Sequence, residues 1–510
     1  MPSGTHVRHY IVQRLVIVLA AGLVASLAAE TPAQTRSCGP PPPAAPQRRT
    51  GGESFPPLPL PATPLRRSEK KRQPSPPALV GKVMLGEVKW ETRNGQRFSY
   101  RDWMTDPNDI RNLLEWTNRQ LHIRYRAVDT ALAAFSYDPT ELPILYFTGH
   151  DAFTVDEETV ARLRQFCIDG GTILGDACCG SPAFDEAFRA LCRRMFPNRP
   201  LEPIPMDHPL YSSFYSISRV RYRDETKTWD DVPRLEAVNI GCRAAVIYSG
   251  GFDLSCGWDG HIHERGRRVM PDDARRLGAN LITYGLATYE LGRFLATEKV
   301  YHQKDEPTRD QLVIAQVIHD GDWDPQPSSL ASLLKYLAEN TTVSVQFKKE
   351  DVDLRSIDAF AYPILYMTGH TNFTFTEAEV NNLRRYLAAG GVLVANACCG
   401  RKGFDEAFRR EIARVLPDRK LERIPPDHPL FQSVFPIGEV AYTPLAIREQ
   451  PGLNRPTLEG ISLENQLRVI YSPYGFVNGW SGAPNPYARE YAREDALRLG
   501  IDIFVYAMTH

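Results

Sequence analysis

The chain contains one long stretch of sequence twice, and this duplication constrains its fold more than any other feature. Residues Pro143–Ile217 and Pro363–Ile437 align without a gap at an offset of 220, and 38 of the 75 aligned positions are identical. The shared strings are PILY followed by TGH, a Gly-Gly pair, ACCG followed by FDEAFR, and DHPL. Such a repeat predicts two copies of one structural unit. A residue present in both copies is needed by the unit itself, for folding or for chemistry.

The N-terminal segment predicts export. Residues 1–33 have a polar, partly basic start, the unbroken apolar run Leu15–Ala29 and small residues after it, which is the pattern of a signal peptide. An uncleaved N-terminal anchor is the alternative, and no later segment is long and apolar enough to span a bilayer. Residues 34–82 are rich in proline, with 13 between positions 39 and 79, and predict an extended linker. The two domains are then expected at 83–295 and 296–510.

Composition and charge exclude one class of partner. Hydrophobic residues make up 43% of the chain and charged residues 24%, which are ordinary values for a protein with a proper core. The formal net charge is −1, so no overall basic field favours nucleic acid. We therefore expect a periplasmic or extracellular protein that does not bind nucleic acid.

Each copy has the pattern of alternating strands and helices. Apolar runs predict strands, and residues with helical periodicity predict the helices between them. For the second copy the predicted elements are strands at Leu312–Ile318, Pro363–Met367, Val392–Ala395 and Leu467–Tyr471, and helices at Pro327–Asn340, Phe404–Val415 and Glu494–Ala507. This order calls for right-handed crossovers and predicts an α/β fold: two tandem, doubly wound, mainly parallel sheets. Ligands in that fold bind beyond the carboxyl ends of the strands, where we expect the shared motifs to gather.

The combination of PILY-TGH, Gly-Gly, ACCG-FDEAFR and DHPL resembles the domain-of-unknown-function family 4159. That family is assigned to the class I glutamine-amidotransferase-like, flavodoxin-like folds, so the resemblance implies a fold without an established activity. Related domains often occur in bacterial envelope proteins, which implies other envelope proteins as partners. Working amidotransferases carry a nucleophilic cysteine at a strand-to-helix elbow. Here that type of turn carries Gly-His instead, which argues against glutaminase chemistry.

A histidine and a tryptophan recur in both copies at places where ligands bind. His150 and His370 end the TGH string and follow the best central strand, at the expected carboxyl edge of each sheet. Trp103 and Trp323 end the first strand-helix unit and are candidates to line a ligand cleft. The structural alternative is that each histidine ring fixes its own turn by a hydrogen bond and that each tryptophan packs in the core.

The vicinal cysteine pairs Cys178–Cys179 and Cys398–Cys399 end the next strand and precede a helix. A helix N-terminus favours the thiolate, so either cysteine of the first pair is a candidate nucleophile beside His150 or His208. Buried, unreactive thiols and a vicinal disulfide are the alternatives. Export argues against an exposed thiol, because thiols oxidise outside the cytoplasm.

The DHPL strings, Asp207–His208 and Asp427–His428, place a carboxylate beside an imidazole in each copy. The carboxylate can orient the ring for ligand binding, but the string also makes a good turn that needs no ligand. Asp176 adds an acid at the sheet edge of the first copy, where the second copy has Asn396. A weaker hypothesis therefore builds a metal site from His150, Asp176 and the first DHPL histidine. If one domain is active, this difference favours the first.

These motifs leave three functions open. The first is a non-catalytic binding or scaffold module of the bacterial cell envelope, without a cofactor. The second is a Cys/His-dependent hydrolase or transferase with its site at the strand ends of domain 1, although no intact amidotransferase triad is visible. The third is the metal-binding domain. Standard metalloprotease, P-loop and lipase motifs are absent from the sequence.

Overall fold

A computed structural model of the protein describes residues 76–93, 95–260, 266–297, 312–346 and 349–510. The predicted signal peptide and nearly all of the predicted linker lie outside these residues. No helix within the described ranges combines the length and apolar character needed to cross a membrane.

The first domain is built around a seven-stranded sheet. The domain as a whole, including its two smaller sheets, has the strands β1 Ala78–Val83, β2 Val88–Arg93, β3 Gln96–Arg101, β4 Arg126–Thr130, β5 Ile144–Gly149, β6 Thr172–Ala177, β7 Glu202–Pro203, β8 Val220–Arg223, β9 Thr228–Asp231, β10 Glu236–Ile240, β11 Arg243–Ser249 and β12 Arg268–Val269. Its helices are α1 Asp109–Leu121, α2 Glu157–Ile168, α3 Pro182–Met195, α4 Ser255–Asp259, α5 Pro271–Ala287 and α6 Tyr289–Ala296. The order is β4-β1-β5-β6-β11-β10-β7. The first five strands and β7 run in one direction, and β10 runs antiparallel to both of its neighbours.

The second domain repeats this sheet. Its strands are β13 Ile314–Ile318, β14 Glu350–Asp353, β15 Ile364–Gly369, β16 Val392–Ala397, β17 Glu422–Arg423, β18 Glu459–Leu463 and β19 Gln466–Ser472. Its helices are α7 Ser328–Asn340, α8 Glu377–Ala388, α9 Lys402–Val415, α10 Pro444–Glu449, α11 Val477–Ser481 and α12 Arg493–Thr509. The order β14-β13-β15-β16-β19-β18-β17 matches that of domain 1 strand for strand. The predicted fold class, two tandem α/β domains with mainly parallel sheets, is confirmed.

The central strands are buried on both faces, which is why they read as continuous apolar runs. Every residue of β5, β6, β15 and β16 is buried, as expected for strands covered by helices on both sides. The helices that cover them begin at clear signals. Thr376 and Glu379 form a capping box at the start of α8, and Asp156 caps α2 through the backbone N–H of Thr159.

The boundary predicted at residue 83 is too late. β1 pairs with β4 on one side and with β5 on the other, so it is a central strand of domain 1 rather than part of the linker. The strand follows directly on the proline-rich segment, and the linker prediction based on the composition of that segment extended into the strand. Lys82 points from this strand into the core, where its Nζ lies 2.7 Å from Asp109 Oδ1 and both side chains are buried.

The two domains pack head to tail. The turn of the β10–β11 hairpin, at the amino edge of the domain 1 sheet, reaches the carboxyl edge of the domain 2 sheet, where Cys242 Sγ lies 3.7 Å from Cys398 Sγ. Close by, the rings of Tyr284 and Tyr487 stack across the interface with centroids 5.7 Å apart. This domain interface, between the amino edge of one sheet and the carboxyl edge of the other, is where motifs from both copies meet.

Candidate functional site

An aspartate that the sequence analysis did not single out holds the TGH turn in each domain. In domain 2, Asp322 Oδ1 accepts hydrogen bonds from the backbone N–H groups of His370 and the next residue, at 2.7 and 2.9 Å. Its Oδ2 lies 2.5 Å from His370 Nδ1. In domain 1, Asp102 accepts from the same two backbone positions, but the ring of His150 is more distant, with Nδ1 3.6 Å from Oδ1. The imidazole–carboxylate pair is therefore tighter in domain 2.

The cysteine pairs lie at a strand-to-helix elbow. Cys179 has φ 56° and Cys399 has φ 54°, the left-handed conformation that a side chain with a Cβ adopts only at some cost. Each follows the end of a buried strand, β6 or β16, and precedes a helix, α3 or α9. The sequence analysis assigned the elbow to the TGH turn, which carries no cysteine. The structure has the cysteine-bearing elbow on the neighbouring strand, β6 or β16.

Polar groups of domain 2 surround the Cys399 sulfur. The side-chain amides of Asn478 and Asn485 donate to Sγ at 3.3 and 3.2 Å. Glu490 Oε1 accepts from the backbone N–H of Cys399 at 3.1 Å and so fixes the elbow from behind. The amides stabilise negative charge on the sulfur, as hydrogen bonds to a thiolate do.

The charges in this cluster reinforce each other. Hydrogen bonds from Cys242 and Cys398 hold the pKa of the Cys399 thiol well below its ordinary value. Burial opposes a charged His370, but the nearby Asp322 carboxylate outweighs it and raises the pKa of the ring well above its usual range. The same pairing lowers the pKa of Asp322 to about 2, against the effect of its own burial. The arrangement therefore favours a thiolate, an imidazolium and a carboxylate in a row.

The corresponding cysteines of domain 1 are in a different environment. Cys178 Sγ donates to Asp106 Oδ2 at 3.3 Å, and Cys256 Sγ donates to Asp253 Oδ2 at 2.6 Å. Burial, helped by these acidic neighbours, raises the pKa of Cys178 well above its ordinary value. Cys179 is engaged in a disulfide and offers no thiol. Domain 1 therefore holds protonated thiols where domain 2 favours a thiolate.

Neither pair forms the vicinal disulfide that was one alternative. Cys178, Cys398 and Cys399 are free cysteines, and the two sulfurs of the second pair are 3.9 Å apart. Buried thiols, the first of the alternatives, describe Cys178 and Cys398.

The DHPL motifs lie at the opposite edge of each sheet from the TGH and ACCG motifs. The ring of His208 packs on Tyr284, whose hydroxyl accepts from the backbone N–H of Ala244 near the amino end of β11. His428 packs in the same way on Tyr506 in domain 2. The expectation that all shared motifs gather along one edge was therefore wrong. The DHPL string follows the helix α3 or α9 back to the amino side of the sheet.

Both DHPL histidines have a structural role. Nδ1 of His208 accepts from Leu210 N at 3.2 Å, and Nδ1 of His428 accepts from Leu430 N at 3.1 Å, so each ring caps the short helical turn that follows it. The neighbouring aspartates differ in their surroundings. Asp207 crosses the domain interface, where its carboxylate accepts from Lys402 N at the start of α9, whereas Asp427 is exposed.

The metal site proposed for domain 1 from sequence does not form. Asp176 Oδ1 and Oδ2 accept from the backbone N–H groups of Leu254 and Ser255, at 3.0 Å each, and thereby join the ends of β6 and α4. His150 is held at the carboxyl edge by Asp102, while His208 is at the amino edge. Burial raises the pKa of Asp176 well above its ordinary value, and its role in this geometry is to join two segments of backbone.

The shared tryptophans belong to the packing of each domain. Trp103 is buried in the core that β5 and β6 share with α2 and α3. The ring of Trp323 is partly buried and lies 4.9 Å from Lys349 Nζ, a cation–π contact. Neither residue lines the cavity at the domain interface.

That cavity has a volume of about 70 Å³ and is walled by both domains. Its lining includes His208, Cys242 and Tyr284 from domain 1 and His370, Cys399 and Arg401 from domain 2. A pocket for an organic ligand is usually several times larger, roughly 300–1,000 Å³. The interface thus has room for an ion or a few water molecules.

Sequence reasoning missed several residues of this site, for different reasons. Asp102 and Asp322 precede the two tryptophans and recur in both copies, so the repeat alone could have identified them. Cys242, Asn485 and Glu490 have no identical counterpart in the other copy, and a search for shared residues passes over them.

The comparisons with known proteins agree with the resemblance read from the motifs. A family model described as a domain of unknown function (DUF4159) matches the chain twice, at residues 91–286 and 313–508. Among curated proteins, none matches the chain. The two matches span most of the chain and correspond to the two domains of the structure, so the protein belongs to the DUF4159 family as a tandem pair.

Proposed function

We propose that the protein is an exported, non-catalytic binding or scaffold module of the bacterial cell envelope. The export part rests on the signal-peptide pattern of residues 1–33, which lie outside the described residues. The non-catalytic part rests on the way the two domains close over the shared motifs.

One observation carries the proposal: the candidate nucleophile of domain 2 is closed off by domain 1. Cys399 is only 4% exposed. Its sulfur belongs to a buried group with Cys398, and the hairpin residue Cys242 from the other domain packs against that group. The cavity beside the sulfur, at about 70 Å³, is small for an organic substrate. In domain 1 the equivalent sulfur is held in a disulfide.

The alternative that the geometry favours is a thiol-dependent hydrolase or transferase, with its site in domain 2 rather than in domain 1. Its support is the left-handed elbow at Cys399 and the short contact between His370 and Asp322. This is the order of nucleophile, base and orienting acid found in cysteine hydrolases on several folds. Catalysis in this arrangement requires the two domains to separate at the interface, so that substrate reaches the sulfur.

Thiol alkylation of the native protein separates the two functions. Purified under non-reducing conditions and treated with iodoacetamide, the protein should leave Cys399 unmodified, and peptide mass spectrometry should find it modified only after denaturation. The matched control is Cys192, a buried core thiol of domain 1 that should behave in the same way under either hypothesis. Rapid, stoichiometric modification of native Cys399, abolished by His370→Ala, would overturn the non-catalytic proposal and support the enzyme.

A further inference from the structure

The sulfurs of three cysteines and a ring nitrogen of one histidine meet at the domain interface. The ligand atoms of Cys242, His370, Cys398 and Cys399 all lie within 4.8 Å of one another. Two of the sulfur–sulfur distances are 3.7 and 3.9 Å. Thiolates bound to one zinc ion at about 2.3 Å in a tetrahedron lie about 3.8 Å apart. The donor set and its spacing are therefore those of a Cys3His zinc centre.

The surroundings of His370 point the same way. Its Nδ1 lies 2.5 Å from Asp322 Oδ2, whereas Nε2 is buried without a hydrogen-bond partner among the described residues. A buried polar atom without a partner destabilises the folded chain. Histidines that bind zinc usually donate their second ring N–H to a carboxylate, which fixes the ring and leaves the other nitrogen free for the metal. Asp322 is placed to do this.

Polar neighbours suit a bound ion with three thiolate ligands. Asn478 and Asn485 donate to Cys399 Sγ, which is the hydrogen bonding that metal-bound sulfur receives. Three thiolates and one zinc ion carry a net charge of −1, and the buried cation Arg401 lines the same cavity. When zinc binds, the thiols release their protons to solvent.

From these contacts we propose that Cys242, His370, Cys398 and Cys399 bind one zinc ion, which joins the two domains. Domain 1 contributes one ligand from the turn of a hairpin, and domain 2 contributes three from its carboxyl edge. Because protein atoms fill all four tetrahedral positions, the site is of the closed, structural kind. The inference goes beyond the proposed scaffold role and does not depend on it.

The repeat explains why a Cys3His set occurs once among the described residues. The hairpin residue that corresponds to Cys242 in the second copy is Asn465, in the turn between β18 and β19. In domain 1 the groups at the equivalent edge include Cys178, Cys256 and two carboxylates, and the carboxylates already accept hydrogen bonds from the thiols. A Cys3His set is therefore present only where the first hairpin meets the second edge, within the described residues.

Metal analysis of the native full-length chain tests the proposal. Protein purified without a metal-affinity step should contain about one zinc ion per chain, measured by inductively coupled plasma mass spectrometry. After chelation, reconstitution with Co²⁺ should give the intense visible bands and the sulfur-to-cobalt charge-transfer bands of a tetrahedral thiolate site. Cys242→Ser should lose the charge-transfer intensity and most of the bound metal, whereas Cys192→Ser should retain both. Asp322→Asn should weaken zinc affinity about 10- to 100-fold.

Two results would overturn the zinc centre. The first is a wild-type chain that takes up neither zinc nor cobalt after chelation and reconstitution, a measurement that does not depend on the folding of any variant. The second is unchanged metal content and an unchanged cobalt spectrum in Cys242→Ser. The scaffold proposal is judged separately, by whether native Cys399 resists alkylation before any chelator is added.

Discussion

Asp502 is a buried carboxylate that the other copy of the fold replaces with an amide. It lies on α12, where Oδ1 accepts from the backbone N–H groups of Val434 and Phe435 at 3.2 and 3.0 Å. Oδ2 is buried without a hydrogen-bond partner among the described residues. Burial raises the pKa of Asp502 to about 6, although the backbone donors and Arg498 on the same helix act in the opposite direction.

The equivalent residue of domain 1, Asn280 on α5, has all its polar groups satisfied. Its Oδ1 accepts from Tyr215 N at 2.8 Å, and its Nδ2 donates to Leu210 O and Tyr215 O at 2.9 and 2.8 Å. The repeat thus provides the template for Asp502→Asn. The amide should keep the two existing hydrogen bonds, remove the buried charge and find the acceptors that Asn280 uses.

The magnitude follows from the pKa. A folded-state pKa of about 6 against 3.8 in the unfolded chain corresponds to at most about 3 kcal/mol at pH 8. We expect about half of this, because relaxation and the nearby Arg498 reduce the effective cost of the charge. A gain of about 1.5 kcal/mol should raise the melting temperature of a domain of this size by about 3–6 °C.

The sign of the pH dependence is fixed by the raised pKa. The wild-type domain loses stability relative to Asp502→Asn as the pH rises from the pKa of Asp502 in the unfolded chain to its pKa in the folded domain. In this pH range the carboxyl group ionises freely in the unfolded chain, whereas burial keeps it largely protonated in the folded domain. The difference in melting temperature, measured by calorimetry, should be largest at pH 8 and about half as large at pH 5. Asn280→Asp is the matched control and should destabilise domain 1 at pH 8. A variant Asp502→Asn that is no more stable than wild type at pH 8, or a gain that does not change with pH, would refute the reasoning.

Two further predictions concern stability and are measured by urea unfolding. Lys82→Gln should lower the free energy of unfolding by about 3–5 kcal/mol, because it leaves the buried Asp109 charge without its cation. The double variant Lys82→Gln/Asp109→Ser, which has the residues found at the equivalent positions of domain 2, should recover most of this loss. No recovery would contradict the pairing. Gly149→Ala should cost about 2 kcal/mol, because the new Cβ would overlap the Asp102 carboxylate that holds the turn. Gly369→Ala meets its nearest atom only at 3.0 Å and should cost less, so equal losses would argue against this explanation.

The sequence predicted the fold well because the repeat and the buried strands leave strong local signals. Runs such as Leu467–Tyr471 and Glu494–Ala507 agree with β19 and α12 to within two residues at each end. β1 was missed because the proline-rich segment runs directly into it, and composition is averaged over longer stretches than one strand.

The site was harder to predict because its geometry depends on which edge of the sheet each loop reaches and on how the domains pack. A motif before or after a strand can be assigned to an edge, but DHPL follows a helix and a long loop, and its edge was assigned incorrectly. The contact between Cys242 and Cys398 joins residues 156 positions apart. No local pattern encodes it, since it arises from packing between domains.

Head-to-tail packing of two copies creates one interface, and among the described residues the two outer edges have no partner domain. The carboxyl edge of domain 2 meets the amino edge of domain 1. Cys242 and Asp207, although they belong to the first copy, therefore contact the ACCG region of the second copy. The carboxyl edge of domain 1 has no preceding copy in the described chain. There the carboxylates of Asp106 and Asp253 accept hydrogen bonds from the thiols of Cys178 and Cys256. The ACCG string is identical in both copies, yet its chemistry differs because the residues around it come from different neighbours. Identity between the copies therefore marks the framework of the unit, whereas the residues that differ, such as Cys242 and Asn465, give the two ACCG strings different surroundings.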